Sequence, residues 1–226
     1  MAESLPTVLI PGLLCSPRLY GEQLPALWRF GPVVLADHTR DDSMRGIARR
    51  ILAVAPRRFT LVGLSMGGYV AFEIMRTSPD RVVRLVLLAT SARADTPERT
   101  DHRHAQITLA RNGRFGEVLD QLFPVWVHRS RRNDEVLRRI VQRMAEETGP
   151  EAFIRQQTAI MTRPDSRSDL SAIRCPPLSW LVMATSRHRP TERLKSQTAS
   201  RPRAFSPYPN VAISPRSSSH SISRGC

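Results

Sequence analysis

An α/β fold, with a mostly parallel sheet and helices on both faces, is what this sequence predicts, and three observations lead there. Several short apolar runs occur without polar alternation and are separated by helical segments, as in strands buried on both sides. One run, Phe59-Thr60-Leu61-Val62, leads through Gly63-Leu64-Ser65-Met66-Gly67-Gly68 into a segment with helical character, Tyr69 to Ser78. Further on, about seventy residues from Arg93 to Thr162 read as helix throughout, without a strand candidate.

The elements follow in order. Thr7-Val8-Leu9-Ile10 is the first strand, ended by Pro11-Gly12. Val33-Val34-Leu35-Ala36 is the second, and the polar run Asp37-His38-Thr39-Arg40-Asp41-Asp42 follows it. Ser43 then caps a helix to about Val54, with Met44, Ile47, Ile51 and Val54 spaced for one buried face. Pro56 closes that helix, Phe59–Val62 is the third strand, and Arg84–Thr90 is the fourth. Within 93–165, Phe123, Trp126 and Phe153 are among the apolar positions; helices inserted at this point are expected to form a cap over the C-terminal edge of the sheet, where α/β proteins place ligands. Sheet logic resumes at 166–183, with Pro176-Pro177 introducing a fifth strand, Leu178 to Met183. Residues 184–226 are rich in Ser, Arg and Pro, lack periodicity and are expected to be disordered.

The chemistry concentrates at Ser65. A strand that runs into G-x-S-x-G and then a helix is the layout of a nucleophile elbow. The turn is so tight that a side chain two residues to either side of the serine would strike neighbouring backbone, and Gly63 and Gly67 remove those side chains. The hydroxyl is left at the positive end of a helix, which suits a developing oxyanion.

Composition excludes several other classes. With 226 residues the chain suits one domain, and no apolar run reaches bilayer length. Met1-Ala2-Glu3-Ser4 has no cationic character, so no signal peptide is expected. Cys15, Cys175 and Cys226 are odd in number and lack metal-ligand spacing, which fits reduced thiols in a cytoplasm. The net charge of +14 would point toward polyanions, but residues 175–226 carry eight Arg/Lys against one acid (Glu192), half of the whole excess. No recognisable nucleic-acid module accompanies it, so no specific nucleic-acid partner and no membrane partner is expected. Gly63 and Gly67-Gly68 do not have the G-x-G-x-x-G spacing of a dinucleotide site, and no cofactor or metal is expected.

With the elbow, the early Pro11-Gly12-Leu13-Leu14 and the helical insertion after the fourth strand, residues 5–178 resemble the α/β-hydrolase superfamily, in particular small esterases and lactonases with a helical cap. The resemblance implies that Ser65 is the nucleophile and that the amides of Met66 and Leu13 form the oxyanion hole. It implies a small ester-like substrate: a carboxylic ester, thioester or lactone. It also implies a base and an orienting acid, an aspartate after the next strand and a later Gly-His pair. Neither motif is present. No aspartate follows Leu178, and His188 and His220 lie in the Arg/Ser/Pro segment without the expected neighbours. His38, His102, His104 and His128 precede the place of the base and read as solvated surface residues.

The C-terminal strands and helix that the resemblance implies are thus missing from the sequence; a shifted reading frame is one explanation and a natural disordered basic extension is the other. Read out of register with free synonymous codons, the segment from Leu181 to Thr185 can encode Gly-Asp-Gly-Asp, and Pro207 to Ser219 can encode a string containing Cys-Gly-His. The lost aspartate would straddle Ala184 and Thr185, the lost histidine Ala212 and Ile213, and the shift would fall near Pro177. The expectation is a serine hydrolase with little or no turnover; the alternative is a non-catalytic pseudoenzyme that uses the pocket to bind a small molecule. Acyl group, leaving group and oligomeric state stay open at this stage.

Overall fold

The computed structural model describes residues 4–174 and 182–183. Its sheet has five strands, all parallel, in the order β2-β1-β3-β4-β5: β1 Thr7–Ile10, β2 Val33–Leu35, β3 Phe59–Leu64, β4 Val82–Leu88 and β5 Val182–Met183. All four residues of β1 are buried, which explains its uninterrupted apolar sequence. Strand β3 is held between β1 and β4, with Ile10 opposite Gly63 and Leu88 opposite Leu64. The elbow therefore grows from the middle of the sheet, where neighbours on both sides fix the strand.

The order of the strands also decides where a site can form. From β1 the chain steps to β2 on one side, then crosses to β3 on the other. Because parallel crossovers are right-handed, the β1–β2 connection lies on the face opposite the connections that follow. At such a reversal the loops leaving two adjacent strands diverge and open a crevice at their C-terminal ends. Here those loops are the ones after β1 and β3.

The connections match the sequence patterns with instructive differences. Helix α1 (Leu24–Leu27) is one short turn. Helix α2 (Met44–Val54) is capped by Ser43, whose side chain accepts from the Gly46 N–H at 3.1 Å. Met44, Ile47 and Ile51 are buried as the spacing predicts, and Ala48 is buried with them, but Val54 is 75% exposed. The chain leaves the helix one residue later, at Ala55, and Leu52 and Ala55 close that end of the core instead. Helix α3 (Met66–Thr77) starts directly at the elbow, three residues earlier than periodicity suggests.

The helical region consists of α4 (Pro97–Arg111), α5 (Phe115–Trp126) and α6 (Glu135–Met161), which pack against one another. Phe123 and Phe153 are buried, whereas Trp126 is 37% exposed. Helix α6 is broken at Gly149, which has φ 79° and ψ 161°. Pro150 explains the break, since it removes a donor and disfavours helical geometry in the residue before it. Among the described residues, no helix is long and apolar enough to cross a membrane.

The part of the fifth predicted strand that is described, Val182–Met183, pairs with Leu87 and Leu88. The expected disorder of 184–226, the reading-frame hypothesis and the two tail histidines lie outside the described residues.

Candidate active site

Among the described residues three non-glycine residues have positive φ, and each follows the C-terminal end of a strand: Leu14 (57°) after β1, Ser65 (52°) after β3 and Ala89 (45°) after β4. Strain of this kind costs on the order of 1–3 kcal/mol per residue and persists only where surroundings over-determine it. At Ser65 the restraints are visible. Its φ of 52° is combined with a ψ of −111°, its N–H donates to Leu88 O at 2.8 Å, and its carbonyl accepts from Thr90 Oγ1 at 2.8 Å and from Gly68 N at 3.0 Å. The residue occupies the N-cap position of α3, yet its side chain makes no capping bond. The backbone is thus held on several sides while the hydroxyl stays unspent.

The glycines account for the tightness of the turn. A Cβ on Gly63 would lie 2.5 Å from Gly67 O, and a Cβ on Gly67 would lie 2.2 Å from Ile10 O. Both collisions are with backbone, so no side-chain rotation relieves them. Gly68 is equally constrained, with a Cβ there only 2.3 Å from Thr90 Oγ1.

Facing the elbow is the loop after β1. A Cβ on Gly12 would sit 3.5 Å from Ser65 Cβ, so the loop's backbone passes directly beside the serine. Neither the Leu13 nor the Met66 N–H donates to an acceptor among the described residues. Met66 is the first residue of α3, where amides lack an intrahelical partner and the helix dipole favours negative charge. The site therefore combines a strained serine, two unspent amides and the positive end of a twelve-residue helix. Among the described residues no group of His, Cys, Asp or Glu could hold a metal ion.

His38 is not the solvated residue that its polar sequence neighbours imply. It is 2% exposed, and its Nε2 lies 2.9 Å from Gly12 O. Because a carbonyl oxygen only accepts, Nε2 carries the proton and donates it to Gly12. Burial pulls its pKa below the ordinary 6.5, against the opposing effects of the Gly12 bond and Asp37, so the ring is neutral at physiological pH. The ring is turned to the loop and does not serve the Ser65 hydroxyl. His102, His104 and His128 are exposed as expected.

Two further polar residues escaped the sequence reading. Gln156 of α6 is fully buried; its Oε1 accepts from the Leu14 N–H at 3.1 Å and its Nε2 donates to His38 O at 3.5 Å. A glutamine set at helical spacing between Phe153 and Ile160, both core residues, was the available signal. Thr90, which clamps the Ser65 carbonyl, carried no signal of its own because its partner is 25 residues away. Nearby, burial pushes the Cys15 thiol up to about 11 against a lowering contact with the Gly12 backbone, so it is protonated and unreactive at neutral pH.

A strained serine between a parallel strand and a helix, beside the loop of the adjacent strand, defines the site class of the α/β hydrolases. The alpha/beta hydrolase family model matches residues 8–222, and the chain belongs to that family. By sequence it is similar to a pimeloyl-[acyl-carrier protein] methyl ester esterase of Aeromonas hydrophila, 24% identical over 178 residues that cover 76% of this chain and 67% of the relative. Among solved structures it is similar to a thermophilic esterase from Thermogutta terrifontis, with 26% identity and a TM-score of 0.68 over 79% of this chain and 70% of that one. An enol-lactonase from Burkholderia xenovorans LB400 shares the fold, with 21% identity and a TM-score of 0.66 over 80% of this chain and 72% of that one. By family, then, the protein is a hydrolase.

Proposed function

We propose that the chain is a serine hydrolase of carboxylic esters, thioesters or lactones, with Ser65 as nucleophile and with the amides of Met66 and Leu13 as the oxyanion hole. One observation carries the reading: Ser65 is held at φ 52° and ψ −111° with its hydroxyl left uncommitted. The esterase relatives supply the ester class of substrate. The helices within 93–165 act as a cap over this edge of the sheet and shape the acyl pocket.

In the reaction, an Oγ lone pair adds to the substrate carbonyl carbon and the carbonyl π pair moves onto oxygen. The two amides stabilise that oxyanion. Collapse expels the alcohol or thiol, which takes up a proton, and water then cleaves the acyl-serine to acid and free Ser65. The hydroxyl proton needs an acceptor. His38 bonds Gly12 through Nε2, and no described histidine makes a hydrogen bond to the Ser65 hydroxyl, so in this reading solvent takes the proton and turnover is slow. Loss of one triad member in such enzymes costs several orders of magnitude in rate.

A fluorophosphonate probe tests this. Slow labelling of the intact chain, located at Ser65 by mass spectrometry and abolished in Ser65→Ala, is the expected result. Labelling that persists in Ser65→Ala would remove the assignment; labelling as fast as in a hydrolase with a complete triad would remove the claim of slow turnover. The commitment of His38 to Gly12 also favours a second reading, a non-catalytic binder of small esters. That reading predicts no labelling, together with a thermal shift on adding a non-hydrolysable ester analogue.

A further inference from the structure

The loop Pro11–Cys15 has an unusual set of anchors. Its Gly12 carbonyl accepts from buried His38, its Leu14 N–H donates to buried Gln156, and Leu14 is held at φ 57°. Gln156 also donates to the His38 carbonyl, which links the two anchors into one network. The neighbouring residue Arg155 donates through Nε to Thr39 O at 2.8 Å, and Ser16 Oγ donates to Glu147 at 2.7 Å. Helix α6 therefore grips the loops after β1 and β2 at several points along its length.

We infer that Gln156 and His38 are positioning residues: by fixing the carbonyl of Gly12 and the amide of Leu14, they hold the intervening Leu13 N–H toward Ser65. The inference rests on the reading of Leu13 as an oxyanion amide. Its physical basis is geometric. The Gly12–Leu13 and Leu13–Leu14 peptide planes flank the Leu13 residue, and each is tied down by one buried side chain, the Gly12 carbonyl also accepting the Cys15 N–H at 3.1 Å. With both tied, the direction of the Leu13 N–H is set before any substrate arrives. Such preorganisation matters because a displacement near 1 Å of a group that stabilises charge can cost about a hundredfold in rate. The network also gives the helical region a physical link to the chemistry, since the carboxamide of an α6 residue contacts both loops.

Four variants of the full chain separate positioning from mere packing. Gln156→Met and His38→Met keep the approximate volume and remove the polar bonds. Gln156→Glu keeps an acceptor for Leu14, and His38→Gln keeps an Nε2 donor for Gly12. The expected result is that both methionine variants melt cooperatively but label with fluorophosphonate at least about tenfold more slowly. His38→Gln and Gln156→Glu should recover most of the wild-type rate. Wild-type labelling rates in the folded methionine variants, or failure of His38→Gln to improve on His38→Met, would overturn the inference.

Nuclear magnetic resonance decides the matter even if Ser65 never labels, in which case the hydrolase reading fails separately. The nitrogen shifts of His38 should report a neutral ring protonated at Nε2, and the Leu14 amide should exchange slowly with solvent. Both signatures should persist in wild type, and Leu14 protection should vanish in Gln156→Met. An Nδ1-protonated ring, or unprotected Leu14 in the wild-type chain, would show that the anchors are not made.

Discussion

At Gly67 one methyl group decides whether two strands and a helix can coexist. The Cβ of an alanine there would lie 2.2 Å from Ile10 O at the end of β1, and relief would require the start of α3 and the end of β1 to move apart. Gly67→Ala is therefore expected to destabilise the fold by about 3 kcal/mol, the upper part of the range for overpacking a rigid site. Gly116, near the start of α5, has nothing within 4 Å of its Cβ position. There an alanine restricts the unfolded chain without a clash, and Gly116→Ala should stabilise by about 0.5 kcal/mol. Urea unfolding of the two variants beside wild type checks both signs. The need for Gly63 and Gly67 was legible because the motif itself dictates a turn with no room. The burial of His38 was not, because six polar residues in a row carry no sign of which one points inward. Only its partner, the carbonyl of Gly12 at 2.9 Å, shows that.

At the scale of elements, strands were easy to read and the assembly of the helices was not. Strands β1 to β4 announce themselves through apolar runs, buried throughout in β1 and partly buried in the other three, and their boundaries shift by no more than two residues. The helical region joins through charged residues that are distant in sequence. Asp95, in the segment before α4, is almost wholly buried between Arg163, which follows α6 and is buried too, and Arg103 of α4. Arg163 also stacks over the Tyr69 ring of α3 at 4.2 Å. Burial pushes the Asp95 carboxyl up, but the bonds and charges of Arg103 and Arg163 outweigh it and hold the pKa below 3.8. With the folded pKa depressed, the ion cluster contributes fully above the unfolded value near 3.8 and is lost as pH falls through the lower, folded value. Asp95→Asn leaves the buried guanidinium of Arg163 without its counter-charge. It should destabilise by about 3–5 kcal/mol near neutral pH and by much less at pH 2, as read from denaturant midpoints at the two pH values.

Over the whole molecule, the sheet order, the elbow and the β1 loop converge on one edge, while the base that should complete the site is not found among the described residues. The fold could be read from the sequence because strand burial and the glycine turn are local. The acid and histidine that the family resemblance implies depend on short strings after Leu178 that the sequence lacks, and that segment lies outside the described residues apart from Val182 and Met183. A nucleophile that lacks a base, as proposed for Ser65, makes a distinct prediction, because a diffusible chemical can stand in for the base. Free imidazole can take the Ser65 proton if the pocket admits it. Adding imidazole should therefore accelerate hydrolysis of an activated aryl ester in wild type beyond the rate in Ser65→Ala, which corrects for direct attack by imidazole itself. The Ser65-dependent part should rise with pH as imidazole loses its proton near neutrality, because only the neutral ring accepts one. It should also fall in Gln156→Met, whose oxyanion loop is released, though the base is supplied from outside. If wild type and Ser65→Ala respond identically to imidazole, the serine is not waiting for a base. If wild type is fast without imidazole and indifferent to it, the full chain supplies a base of its own.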